Sequence, residues 1–296
     1  MLNSFLAVEG ELLTTKEVAK LLRLNEKKVY QLVNTGQIPH VRIAGKWLFP
    51  KREVLRWLKE RTERERDLLL SGSDDPILFR FLSNYSRYRS LESLAFYSAI
   101  GSEGGLLSLK EGKVHGSCCH LLDPESGQYN LPFINRWFPR GGYAVVTLWH
   151  RSQGLLVRKG NPLGIRGIGD IVERRARFVN RNRRSGTRLL LDMLLQGEGI
   201  SPEEIMGYER EVNSHLEVGI KILVGEADVG LAIEYVSHLL PLDFIPLREE
   251  RFDLVLCEEV WGTKRVTDFM DFLTSKALHP VPGYSFRDTG KVIVEP

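Results

Sequence analysis

Val179-Asn180-Arg181-Asn182-Arg183-Arg184-Ser185-Gly186-Thr187-Arg188, running on into Leu189-Leu190-Leu191, decides the fold of most of this chain. Arg177 to Asn180 reads as a short strand, and Ser185, Gly186 and Thr187 read as the start of a helix over Arg188–Gln196. The same alternation repeats on both sides. Strand candidates are Leu68 to Leu70, Ser93 to Ile100, Tyr143 to Leu148, Gly154 to Val157, Asp228 to Ile233 and Leu254 to Cys257. Helical stretches fall between them at 76–83, 105–111, 215–224 and 267–275. Strands alternating with helices predict an α/β fold with mostly parallel sheets.

Helix starts carry the chemistry of this region. A helix N-terminus offers unpaired N–H groups and the positive end of a dipole, which suit an anion. Four starts follow apolar stretches: 70–76 with Ser73, 100–107 with Ser102, 179–188 with Ser185, Gly186 and Thr187, and 214–217 with the capping box Ser214/Glu217. In an open α/β sheet such starts gather outside the carboxyl ends of the strands, where ligands bind. Hydroxyl and N–H donors hold an oxyanion without a matching full charge. The plainer reading is that each serine merely caps its own helix. His120 either lines such a cleft as a donor or is a structural loop histidine. Arg188 pairs with the anion or bonds a carboxylate across the sheet, and Asp228 reads as a hinge or supporting group. Cys118, Cys119 and His120 are adjacent, a spacing ill suited to one tetrahedral ion, so no metal site or cofactor is expected.

The chain has 296 residues, 43% hydrophobic and 27% charged, which suits folded domains and argues against wholesale disorder. It has no apolar stretch of membrane-spanning length, and Met1–Gly10, with Glu9 and no basic segment, does not read as a secretory leader. Three cysteines, two of them adjacent, fit a reducing cytoplasm. Net charge is +3 and uneven: residues 1–66 hold 14 Lys/Arg against 8 Asp/Glu, the rest 27 against 30. A basic front on a mildly acidic body suggests a polyanion-binding module joined to a second domain, with the boundary near Asp67.

In the front segment Thr14 or Thr15 caps a helix with Val18, Ala19, Leu21 and Leu22 inward, and Asn25 caps a second helix, 26–34, ended by Gly36. His40 to Phe49 alternates about Ala44-Gly45 as a two-stranded wing. Pro50 opens a third helix with Val54, Leu55, Trp57 and Leu58 as its buried stripe, and residues 60–66 are a charged linker helix. Residues 13–22, 29–33, 36–39, 41–43 and 47–49 resemble the excisionase-type winged helix-turn-helix, a small relative of the MerR DNA-binding domain. The resemblance implies a second helix in the major groove, with Lys27, Lys28 and Gln31 toward the bases and Tyr30 flanking them. It sets Arg42 and Lys46 of the wing, then Lys51 and Arg52, on phosphate or the minor groove. One small module contacts few base pairs, so a homodimer or higher homo-oligomer on double-stranded DNA is expected.

The back segment resembles the type 2 periplasmic-binding-protein superfamily, in the branch fused to helix-turn-helix domains and molybdopterin-biosynthesis enzymes. The carrying stretches are 101–106, 120–130, 153–162, 178–181, 185–188 and 225–231. Two positions depart from that pattern. Arg184 stands where a glycine is common, and Ile233, with Tyr235 two residues on, where a tyrosine follows Asp-Val-Gly. The resemblance implies two lobes, 67–149 with 238–296 and 150–237, closing like a hinge on a small oxyanion, molybdate or tungstate. It implies ligand contacts from Ser73, Ser102, Ser185, Gly186 and Thr187, and His120 and Arg184 beside them complete the candidate site. The expectation is a cytoplasmic transcription regulator, not an enzyme. The alternatives are a regulator sensing a small organic anion, an enzyme on the same two-lobed fold, and an architectural DNA-bending protein.

Overall fold

The computed structural model describes residues 11–64, 67–275 and 279–296, and two units divide between Asp67 and Leu68. The readings made on Met1–Gly10 and on Glu65-Arg66 lie outside the described residues.

The front unit comprises β1 (Leu12–Thr14), α1 (Thr15–Leu22), α2 (Glu26–Asn34), β2 (Val41–Ile43), β3 (Lys46–Pro50) and α3 (Lys51–Arg64). Local chemistry sets each start. The Thr14 hydroxyl accepts the Glu17 N–H while Glu17 accepts the Thr14 N–H, a full capping box on α1. Asn25 Oδ1 accepts the Lys28 N–H at 2.8 Å on α2. Ala44 and Gly45 both take positive φ, 47° and 78°, as a tight turn matching the twist of β2 and β3 requires. Leu13, Val18, Val29, Val33, Ile38, Phe49 and Val54 form the core.

Three local expectations change. β1 is a further strand, paired with β3 from Leu12↔Pro50 to Thr14↔Leu48. Pro50 ends β3, where its missing N–H does not break the ladder, and α3 begins at Lys51. Leu21 and Leu55 are exposed rather than inward, because Val18, Ala19 and Val54 already fill the core between the helices and the three-stranded sheet.

The back unit begins β4 (Leu68–Gly72), α4 (Pro76–Tyr88), β5 (Ala95–Ala99), α5 (Ser102–Lys110), β6 (Gly116–Cys119), α6 (Leu131–Trp137) and β7 (Tyr143–Arg158). It continues α7 (Gly169–Glu173), β8 (Phe178–Arg181), α8 (Gly186–Glu198), β9 (Glu211–Val212), α9 (His215–Leu223), β10 (Val229–Ile233) and α10 (Tyr235–Leu239). Then come β11 (Leu242–Cys257), α11 (Lys264–Thr274), β12 (Tyr284–Ser285) and β13 (Val292–Val294). The strand order is β5-β4-β6-β11-β7-β10-β8-β9, with β12 and β13 beside β7. One arm, β4, β5 and β6, is parallel; so is the other, β8, β9 and β10. The 16-residue strands β7 and β11 pair antiparallel through the middle and belong to both arms.

Each arm has its own apolar cores. α4 and α11 cover one face of the first arm, packing Ile77, Phe81 and Phe269 on Trp149 of β7, and α5 covers the other with Leu106 and Leu109. In the second arm α8 packs Leu190 and Leu191 on Phe178, while α9 packs Val218 and Ile222 on Ile233. The result is a two-lobed α/β body on two shared strands.

The expected strands at 143–148 and 154–157 are one strand, and 254–257 is the end of another. Polar residues interrupt both apolar patterns: His150, Arg151 and Gln153 in β7, and Glu250 and Asp253 in β11. All five are buried. Among the described residues no helix is long and apolar enough to cross a membrane.

Candidate functional site

In the front unit α2 hides Val29 and Val33 and leaves Lys27, Lys28, Tyr30 and Gln31 exposed. Lys27 and Gln31, four apart, share one helix face. On the wing Arg42 and Lys46 are exposed, the Arg42 guanidinium lying 5.1 Å from the Trp47 ring centroid. Arg52 is also exposed, whereas the Lys51 ammonium is 2.6 Å from Glu11 and so already paired. The unit presents exposed cations on one helix and on the wing, which suit a phosphate backbone.

In the back unit the four expected helix starts converge where the arms meet. Asp74, after β4, accepts the His215 backbone N–H of α9 through Oδ2 at 2.8 Å. The Glu103 N–H of α5 donates to the Arg184 carbonyl before α8 at 3.3 Å. Gly186, first residue of α8, lies on His120 so closely that a Cβ would stand 2.4 Å from the His120 carbonyl oxygen and 2.8 Å from its ring Nδ1. Glycine is therefore obligatory for this approach of the two arms.

Ser73, Ser102, His120, Ser185, Gly186 and Thr187 are all buried at this junction. Their roles differ from the simple picture of serine caps. Asp75 caps α4, its Oδ1 accepting the Leu78 N–H at 2.8 Å, and Ser73 lies two residues ahead with its N–H on the Cys118 carbonyl. Gly101 precedes α5, and Ser102 Oγ accepts the His120 N–H at 3.3 Å across the arm. Ser185 does cap α8, accepting the Arg188 N–H at 3.1 Å, and Thr187 Oγ1 accepts from Gln153 Nε2 at 3.0 Å.

The Arg184 carbonyl reaches Glu103, and its exposed side chain lines a cavity of about 390 Å³ together with Glu103, Ser185 and Tyr208. Arg188 takes the carboxylate alternative, with Nη1 3.1 Å from Glu211 and its guanidinium 3.9 Å from the Tyr208 ring centroid. Asp228 ties Arg177 at 2.8–3.0 Å and so clamps the start of β8 to β10. Among the described residues no group of three His, Cys, Asp or Glu is placed to hold a metal.

The strongest groups of the junction are ones that sequence reading missed. Arg151 of β7 bridges Asp75 at 2.7 Å and Glu250, and lies over the Phe252 ring. Asp75 also accepts from Trp149 and Tyr284, and Glu250 reaches His120 Nδ1 at 2.6 Å. Arg181, at the end of β8 and 2% exposed, donates Nη2 to the Asn213 carbonyl at 3.0 Å. Its Nε and Nη1 make no hydrogen bond, and Asp74 is 3.8 Å from Nη1. Arg151 Nη2, Gln153 Oε1, His120 Nε2 and both His215 ring nitrogens are likewise buried and unpartnered.

Burial, helped by Arg181 and Arg151, holds His215 well below the usual histidine range. Burial also lowers His120, outweighing the opposite pull of Glu250. Arg181 is pushed down to about 10 by burial, with Asp74 opposing, and burial raises the Asp74 carboxyl. Burial pushes Glu250 upward, but Arg151 and His120 prevail and hold it below the usual glutamate range. Arg151, Arg181 and the neutral His215 imidazole thus face one junction with N–H donors unspent, an arrangement that accepts an anion, while His120 spends its Nδ1–H on Glu250.

A family profile described as the PBP superfamily domain matches residues 86–274, and a helix-turn-helix domain profile matches residues 12–62. The uncharacterized protein YvgK of Bacillus subtilis (strain 168) is 29% identical, covering 95% of this chain and 97% of its own. A putative phosphate ABC transporter substrate-binding protein with bound phosphate from Clostridium perfringens superposes with TM-score 0.54 at 13% identity, covering 71% of this chain and 93% of that one. The tungstate ABC transporter from Geobacter sulfurreducens gives TM-score 0.53 at 14% identity, covering 72% and 95%. At these identities the two structures are evidence of a shared fold.

Proposed function

The chain belongs to the PBP superfamily and carries a helix-turn-helix domain ahead of that body, and from this premise we propose a DNA-binding regulator that senses a small oxyanion. The observation that carries the reading is Arg181, a buried guanidinium with two nitrogens lacking acceptors at the meeting of the arms. Leaving buried N–H donors without acceptors costs on the order of 1–3 kcal/mol each, which an oxyanion between the arms offsets. Ser73, Ser102, His120, Ser185, Gly186 and Thr187 complete the wall, with Arg151 and His215 beside them.

The lobes of this reading are 67–149 with 238–296 and 150–237, hinged on β7 and β11. The ligand is molybdate or tungstate, with no other cofactor. A second reading, a small organic carboxylate, is favoured by the flat guanidinium donors, which pair well with planar carboxylates. Closure changes the spacing of paired front units on DNA in a homodimer working in the cytoplasm. The ligand drives that change only by preferring the closed state.

The test is a melting-shift screen with molybdate, tungstate, phosphate, sulfate and small carboxylates, followed by calorimetry. A ligand at a hundred times its dissociation constant adds about 2.7 kcal/mol to stability. Ser102→Ala combined with Thr187→Ala is expected to weaken binding at least about tenfold and to leave ligand-free DNA affinity unchanged. Unchanged ligand affinity in the double variant refutes the site, and no shift with any anion refutes the sensor.

A further inference from the structure

We propose that His215 takes up a proton as an oxyanion settles against Arg181, so that the cleft binds an anion and a proton together. The inference rests on the anion-sensing reading above. His215 opens the nine-residue helix α9, is fully buried, and has both ring nitrogens without a partner. An imidazole carries at least one N–H in either tautomer, so a buried ring with no acceptor leaves a donor uncompensated. Arg181 beside it has two unpartnered nitrogens of its own, so two independent side chains lack acceptors at one place.

Charges bearing on the ring come from several elements. Arg181 at the end of β8, Arg151 in β7 and His120 after β6 all oppose a further positive charge there. The carboxylates nearby are engaged elsewhere. Asp74 after β4 accepts the His215 backbone N–H, and Asp75 holds Arg151, Trp149 and Tyr284. Glu250 of β11 holds Arg151 and His120, while Glu217 on α9 itself accepts the Asn213 and Ser214 N–H groups. The ring is therefore neutral before the anion arrives, held so by burial first and Arg181 next.

A dianion against Arg181 reverses the local sign and supplies the acceptor that ring and guanidinium both lack. The proton comes from solvent to the free ring nitrogen, and the bound unit is an oxyanion facing a guanidinium and an imidazolium. By linkage, a site that gains a proton on binding loses affinity as pH rises, up to about tenfold per pH unit for one proton.

Calorimetric titration of the full chain with molybdate, tungstate and sulfate, repeated in buffers of different ionisation enthalpy between about pH 6 and 8, counts the protons taken up. About one proton per anion is expected, with affinity falling as pH rises. His215→Gln is expected to bring the count toward zero and flatten the profile. His120→Gln and Asp74→Asn, the neighbouring titratable groups, are expected to keep the count whatever they do to affinity.

Binding without proton uptake overturns the inference alone, as does uptake that survives His215→Gln and vanishes in either other variant. Should His215→Gln fail to fold or bind, ring resonances of labelled wild-type protein decide. A His215 ring that becomes doubly protonated with the anion supports the inference, and one that stays neutral overturns it. If none of the three anions binds, the sensing reading falls and the inference falls with it.

Discussion

Replacing Arg181 with methionine separates what the side chain does for the fold from what it does for a ligand. The guanidinium is 2% exposed and makes one hydrogen bond, to the Asn213 carbonyl, while Nε and Nη1 have none. The lost charge-assisted bond costs about 1.5–3 kcal/mol. Against it stand two unpaired buried donors, each relieved of roughly 1–3 kcal/mol. Methionine has similar length and no polar donor, but it leaves the buried Asp74 carboxylate without its cation at 3.8 Å, so the two sides nearly cancel and the ligand-free variant should stay within about 3 kcal/mol of the parent. With ligand the balance tips. Two charge-assisted bonds to an oxyanion, at about 1.5–3 kcal/mol each, disappear, which is a loss of at least about a hundredfold in affinity. Urea unfolding with and without anion measures both numbers on one sample. A variant destabilised by several kcal/mol that keeps the full ligand-induced gain would refute the argument, because Arg181 would then be a structural cation.

Further outcomes follow from other contacts. Gly186→Ala places a methyl 2.4 Å from the His120 carbonyl oxygen, so the arms should part. Small-angle scattering should report a larger radius of gyration and calorimetry a weaker ligand; an unchanged radius and affinity would show that the approach is unimportant. Arg42→Ala with Lys46→Ala, the exposed cations of the wing, should weaken binding to all duplexes alike and reduce the salt slope of the affinity by about 2, read from binding at several salt concentrations. His120 and His215 are depressed in the folded state by burial, so the unfolded chain binds more protons below the ordinary histidine value of about 6.5. Ligand-free stability should therefore fall as pH drops through that value, and His215→Gln should flatten the fall in pH-dependent melting.

The front unit was legible because its instructions are local. Thr14 with Glu17, Asn25 with Lys28, and Ala44-Gly45 act on backbone groups within a few residues, so caps and turn could be read directly. β1 was not legible, since three residues carry no period and their pairing with β3 spans the whole unit. In the back unit, alternating strands and helices announced the α/β class. Ser185-Gly186 and Ser214/Glu217 marked two helix starts correctly, because capping is also local.

The crossing strands and the charges between the arms were decided by tertiary structure. A strand reads from sequence as an apolar run, and β7 and β11 break theirs with Arg151, Gln153 and Glu250 where the arms meet. A polar residue in a strand ordinarily signals solvent, and only its neighbours from distant segments reveal that it is buried. Arg181 likewise reads as one basic residue among several at 181–184. Its burial, and its want of an acceptor, exist only once Asp74 and Asn213 are brought beside it from more than thirty residues away in either case. Hydrogen-bond caps are short-range and survive in the sequence, whereas the dielectric around a charge belongs to the whole fold.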